Sequence, residues 1–153
     1  MFTLIRPVSA VFLAALAYFA AVAYEPLYDP DIDLGMTYIW YAVRVAFVVG
    51  WVFLGGLVGR ALWFSIYATL QAVVLTAIGT AMILGIGEIF IRGYRRQYSE
   101  VMETLLGYFE IVLDWLNRAL VPSYLIQVAI GAVVVGISLH VLNALFERRR
   151  NDR

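Results

Sequence analysis

The stretch MTYIWYAVRVAFVVGWVFLGGLVGRALWFSIYATLQAVVLTAIGTAMILGIGEIFI, residues 36–91, decides the fold. It consists of two apolar runs that meet at a glycine-rich corner ending in Gly59-Arg60. At a rise of about 1.5 Å per residue, each run is long enough to cross a hydrocarbon core about 30 Å thick. The first predicts a helix over residues 36–57. Tyr38, Trp40 and Tyr41 stand at its start, where aromatic rings favour the membrane–water interface. The second predicts a helix over residues 61–91, opened by Trp63 and Tyr67 and dotted with Gln71, Thr76 and Thr80. It is longer than one perpendicular crossing requires, so it must tilt or project into water. Gly55 and Gly59 have the GxxxG spacing that lets helix backbones touch, and a tight turn explains part of this glycine content.

Outward from this stretch, residues 7–24 form another apolar run, with Arg6 before it and Glu25-Pro26 after it. Two readings compete here. A basic residue, a short apolar core and Ala21-Val22-Ala23 have the form of a cleavable secretory signal. Ala10, Ala14, Ala17 and Ala21 instead form a small-residue stripe suited to packing on a neighbouring helix, which favours a retained crossing. Residues 25–35 carry Glu25, Asp29, Asp31 and Asp33 with two prolines and read as a solvated acidic loop. They lack the glycine and distal glutamate of an EF-hand loop.

Beyond residue 91, the cluster Arg92, Arg95 and Arg96 interrupts the apolar pattern. In residues 99–120, Glu103, Gly107, Glu110, Asp114 and Asn117 recur at steps of three and four, opposite Met102, Leu105, Phe109, Val112 and Leu116. This spacing predicts an amphipathic helix. Three acids make it a poor crossing, because an aspartate at mid-bilayer costs about 2.5–3.5 kcal/mol on insertion scales. A position in the interface, flanked by Tyr108 and Trp115, fits better. Residues 123–146 form the last apolar run, closed by Glu147 and three arginines. The expected fold class is all-α, a polytopic membrane domain of four crossings with one interfacial helix between the third and fourth.

Composition agrees. The 153 residues are 63% hydrophobic and 14% charged, against roughly 45–50% and 25% in soluble domains. The net charge is zero, so no basic surface calls for nucleic acid. All eleven basic residues are arginine. Cysteine is absent, which removes disulfides, thiolate ligands and thiol redox chemistry. The single histidine, His140, argues against a histidine-rich metal or haem site. No nucleophile–base motif, phosphate loop or metal spacing appears, so neither an enzyme nor a bound cofactor is expected. With both termini cytoplasmic, the inner side holds Arg6, Arg60, Arg148, Arg149, Arg150 and Arg153, and the outer side Arg92, Arg95, Arg96 and Arg118. Six arginines against four favour that orientation in a cytoplasmic membrane.

The candidate functional charges are Arg44, Glu88, Arg95, Arg96 and Glu110. An arginine some eight residues into a crossing is costly and is normally paired or turned to a cavity, so Arg44 leads. The competing reading has it snorkel to the outer interface or bond a neighbouring helix. Folding the two helices back at residue 60 sets Arg44 level with about residue 76. Glu88 then lies some 18 Å further out at the helical rise. Glu110 belongs to the acidic face of residues 99–120, which has two possible partners, the arginine cluster or another protein. His140 reads as an interfacial or packed histidine whose sole acidic neighbour in sequence is Glu147.

The residues in this order resemble the TrgA family of small bacterial membrane proteins associated with tellurite resistance. The resemblance rests on Ala14-Ala15-Leu16-Ala17-Tyr18, Gly50-Trp51, Gly55, Gly59-Arg60, Glu88, Arg95-Arg96-Gln97-Tyr98, Phe109-Glu110-Ile111 and the arginine-rich end. It spans nearly the whole chain and implies a role in tolerance of tellurite. Val52 stands where the family pattern has an arginine, and His140 where it has an acid. Beside the resemblance, Arg44 therefore reads as a relocated charge rather than a family feature, which lowers its value as a site. Without cysteine, the chain itself cannot reduce tellurite through a thiol. The expected function is that of an inner-membrane accessory protein in contact with lipid and with a protein partner or further copies of itself. A structural subunit of a larger membrane complex and an anion transporter or channel component are the alternatives.

Overall fold

The computed structural model describes residues 5–28, 35–59, 61–94 and 101–151. Among them the chain is helical apart from two short turns, without a strand: α1 (Ile5–Tyr28), α2 (Gly35–Leu57), α3 (Leu62–Tyr94), α4 (Val101–Arg118) and α5 (Pro122–Asn151). Four of the five, all but α4, are long and apolar enough to cross a membrane.

Neighbouring helices run antiparallel, as their contact levels show. In α1 and α2, Ala10 meets Gly50 and Arg6 meets Gly55. In α2 and α3, Val45 meets Gly79, and in α3 and α5, Ile66 meets Gly136. Between α1 and α5, Leu16 meets Gly131, and the Tyr124 hydroxyl donates to the Ala20 carbonyl at 3.2 Å. The core lies where α1 meets α2, α3 and α5, around the fully buried Leu13, Leu54 and Leu139 with Ala10, Ala46, Ala72 and Ala132. The small residues are what allow the helices so close. Without a hydrophobic driving force in lipid, association depends on van der Waals contact between backbones. A Cβ at Gly50 would lie 2.7 Å from Ala10 Cα and 2.8 Å from the Ser9 carbonyl oxygen.

The alanine stripe of α1 is partly as expected, with Ala10, Ala17 and Ala21 buried and Leu13 between them. The GxxxG pair divides its labour. Gly55 packs on Arg6, its Cβ position 2.8 Å from the Arg6 Cα, whereas Gly59 turns the chain at φ +114°. Just before the corner, Gly50–Leu54 widens into a π-helical turn, closed by the Gly55 N–H bonding to the Gly50 carbonyl.

Three expected boundaries shift. Helix α1 does not stop at Tyr24 but continues through Glu25 and Pro26 to Tyr28. Its end is held by another helix: the Arg118 guanidinium of α4 donates to the Tyr28 carbonyl, one of the C-terminal carbonyls that lack an intrahelical partner. Helix α3 continues past residue 91 to Tyr94, and α5 past residue 146 to Asn151, so the terminal charged residues extend the helix instead of closing it. Asp29, Asp31 and Asp33 of the expected acidic loop lie outside the described residues.

Candidate functional site

Arg44 projects from the outer face of α2, away from the Ile39, Ala42 and Ala46 side that packs into the bundle. Its guanidinium carbon sits 5.9 Å from the centre of the Tyr41 ring, one turn toward the start of the helix. The exposed Trp40, Phe47 and Val48 complete the same face. Any partner of Arg44 must therefore approach from outside the bundle. Glu88 accepts from Arg92 Nε at 3.0 Å, an i,i+4 pair within α3. The contact of Val45 with Gly79 sets Arg44 level with about residue 80. Eight residues at the helical rise still leave about 12 Å of depth between Arg44 and Glu88. The two charges are not brought together. Arg95 and Arg96 lie outside the described residues.

Glu110 is exposed on α4 and lines a large opening in the described structure. This is a half-enclosed groove of about 1210 Å³ between α1, α3, α4 and the start of α5. Its walls are mostly apolar, from Ala17 and Ala21 of α1, Ala77 and Leu84 of α3, and Leu106 and Phe109 of α4. Tyr38, Thr76, Tyr124, Arg92, Asp114 and Arg118 also line it. Helix α4 roofs it by a narrow strip of contacts. Gly107, Ile111 and Val112 are buried, Val112 and Tyr108 bear on Gly85, and the Tyr108 hydroxyl donates to the Met82 carbonyl at 3.1 Å. At the other end, the Tyr24 hydroxyl donates to the Trp115 carbonyl at 2.8 Å, and Tyr28 stacks edge-on against Trp115. Arg118 stands over the Tyr28 ring at 5.2 Å while its Nε donates to Asp114 at 3.0 Å. Because α4 rests on residues 82–85 of α3 and 24–28 of α1, which lie at similar depth, it crosses the bundle end instead of running along it.

One buried hydroxyl in the groove wall stands apart. Ser9, Ser65, Thr69, Thr76 and Ser138 all return their hydroxyl protons to the carbonyl four residues back, at 2.7–3.1 Å. Thr80, 8% exposed, does not. Among the described residues its Oγ1 is the buried side-chain polar atom without a hydrogen-bond partner; Thr80 belongs to the groove wall, but that oxygen is sealed off from the open space.

A second polar group, invisible in the sequence, gathers at the corner. Ser65 Oγ accepts from the Gly59 N–H at 3.4 Å, donates to the Ala61 carbonyl at 3.1 Å, and lies 3.5 Å from His140 Nδ1. Asn143 donates to Glu147 and abuts Gly59. His140 thus has a polar neighbour in Ser65, 75 residues away, while Glu147 accepts from Asn143. Ser65 is fully buried and engaged by the Gly59 turn, so the pair holds the corner together. Comparison with protein-family models, with curated proteins and with solved structures finds no match to this chain.

Proposed function

We propose that this chain is an accessory protein of the bacterial inner membrane that supports tolerance of tellurite by docking a protein partner. The tellurite role comes from the resemblance to the TrgA family carried by Gly50-Trp51, Gly59-Arg60, Glu88 and Phe109-Glu110-Ile111. The docking role is carried by one observation. Helix α4 is fastened to α1 and α3 by a narrow strip. It leaves Glu103, Glu110 and Asp114 exposed on one flank of that strip and Leu105, Phe109 and Leu113 exposed on the other, several of them along the groove. In this reading α4 lies in the outer interface, where its apolar side enters lipid and its acids meet water or a basic partner. The corner end, with Arg6 and Arg148, then faces the cytoplasm.

Deletion is expected to sensitise cells to tellurite, and purification in mild detergent to recover a second protein in near-stoichiometric amount by mass spectrometry. Unchanged tellurite tolerance together with a chain that purifies alone would overturn the reading. Because the native chain has no cysteine, orientation has a direct assay. A membrane-impermeant maleimide is expected to label Glu103→Cys in intact spheroplasts and Glu147→Cys only after permeabilisation; the reverse pattern would invert the topology.

A further inference from the structure

We infer that the outward face of α2 holds one anionic glycerophospholipid of the leaflet at the α4 end, with Arg44 on its phosphodiester and Phe47 and Val48 along an acyl chain. The inference concerns lipid alone and stands whichever partner α4 meets.

Depth comes from two aromatic levels. The contact of Val45 with Gly79 sets Tyr41 level with about residue 83 of α3. From Trp63, exposed at the corner end of α3, to that level is about 30 Å at the helical rise, the thickness of a hydrocarbon core. Trp63 and Tyr41 therefore mark its two edges, where aromatic rings favour to sit. Arg44 leaves the backbone about 4.5 Å inside the Tyr41 level. Its guanidinium carbon turns back to 5.9 Å from the Tyr41 ring. Helical side chains lean toward the helix start, and the arginine stem is long enough to carry the charge to the edge. The cation thus stands where lipid glycerol and phosphate groups meet the hydrocarbon.

The face around it offers donors without acceptors. Trp40, Tyr41 and Arg44 present an indole N–H, a phenol hydroxyl and the guanidinium N–H groups, and among the described residues none of them finds an acceptor. Helix α2 has no acidic side chain. Glu88 is engaged by Arg92 and lies about 12 Å further out. Toward the bilayer centre the face continues in the exposed Phe47, Val48 and Val52, an apolar track for an acyl chain.

A cation at this depth calls for an anion on the lipid side. A phosphodiester supplies the charge, and its free oxygens accept the planar guanidinium fork. A second copy docked on the same face would set Arg44 against Arg44, because a two-fold interface apposes a patch with itself. An ethanolamine head already carries an ammonium beside its phosphate. A glycerol head carries none, so phosphatidylglycerol is the preferred lipid.

The test titrates dioleoyl phosphatidylglycerol into the delipidated full-length protein in detergent and counts bound lipids by native mass spectrometry. Wild type is expected to bind one lipid about fivefold more tightly than Arg44→Leu or Arg44→Gln, the factor of one arginine beside an anionic headgroup. Arg118→Met, whose guanidinium is already engaged by Asp114, is expected to bind as wild type does. Dioleoylglycerol, which keeps the chains and lacks the phosphate, is expected not to distinguish the variants. Equal phosphatidylglycerol binding by wild type and both Arg44 variants, or an equal loss in Arg118→Met, would overturn the site. A difference that persists with dioleoylglycerol would overturn the phosphate contact. Displacement of the lipid by millimolar inorganic phosphate would reassign Arg44 to a free oxyanion. A dimer, or a co-purifying protein, that Arg44→Gln releases would give the face to protein instead of lipid.

Discussion

The two ends of this helix bundle are built on opposite terms. At the corner end, α1 and α2 touch backbone to backbone, with Ala10 against Gly50, Arg6 against Gly55 and Leu54 fully buried. At the α4 end α1 stays packed on α2 through Ala21, Ile39 and Ala42, but α1, α3 and α5 line a groove. The contacts that close it are side chain to carbonyl: Tyr24 to Trp115, Tyr108 to Met82, Arg118 to Tyr28. Dispersion between close backbones is additive over many atoms and does not tolerate displacement, whereas a few hydrogen bonds at an interface can be exchanged for water or lipid. Global stability should therefore reside at the corner, and adaptability at the α4 end.

The sharpest way to break this contrast is at Gly50. Gly50→Val places side-chain atoms where the Ala10 backbone already sits, 2.7 Å from the added Cβ, and neither backbone can yield cheaply. A loss of about 3 kcal/mol, the upper end for overpacking, is expected in equilibrium unfolding in bicelles. Gly56→Ala, six residues on, meets no atom within 4 Å and is expected to be neutral or slightly stabilising. If the two variants unfold alike, the seam is not where stability lies.

Gly59→Ala should come next, at about 1–3 kcal/mol, because φ +114° is a conformation an L side chain rarely adopts. Asn143 also fills the space a Cβ would enter. Combining it with Asn143→Ala is expected to relieve the contact and leave the backbone cost, so only part of the loss should be recovered. Full recovery would mean that crowding, not φ, dictates glycine here.

At the opposite end, Arg118→Met removes the donor to the Tyr28 carbonyl and the pairing with Asp114 while keeping much of the stem over the ring. The expected loss is local, about 1 kcal/mol, read as faster hydrogen exchange at the end of α1 and along α4 with little change in global unfolding. A fall in global stability as large as that of Gly50→Val would erase the distinction between the ends.

Much of this architecture was legible in the chain, for reasons tied to particular residues. Apolar runs as long as residues 36–57 have no soluble solution, so the four long helices follow from composition and length alone. The outward position of Arg44 was not readable. An arginine within a crossing is normally paired or turned to a cavity. The packed side of α2 at Ile39, Ala42, Ala46 and Gly50 is also no more apolar than the exposed Phe47 and Val48 beside Arg44. What else could not be read was set by distant neighbours. The end of α1 is decided by Arg118, 90 residues away, which offsets the local preference of Glu25-Pro26 to stop a helix. His140 finds Ser65 across 75 residues, and the groove exists because α4 lies across the bundle end, which no local periodicity specifies.

The smallest expected effect concerns the charges that looked most functional. Glu88 is engaged by Arg92 on its own helix, with side chains 34% and 41% exposed, and such i,i+4 pairs contribute about 0.3–0.5 kcal/mol. Glu88→Gln should cost no more than that. Arg44→Leu removes an outward guanidinium from an apolar face and should leave the fold intact or slightly stabilised. In the double variant Arg44→Leu/Glu88→Gln the two changes should add, with a coupling below about 0.5 kcal/mol, because the residues share no contact and differ in depth. A larger coupling would mean that the charges meet across α2 and α3 after all. It would also mean that the face of Arg44 turns inward in some state of the protein, and the division between a rigid corner and an adaptable end would then have to include α2 among the moving parts.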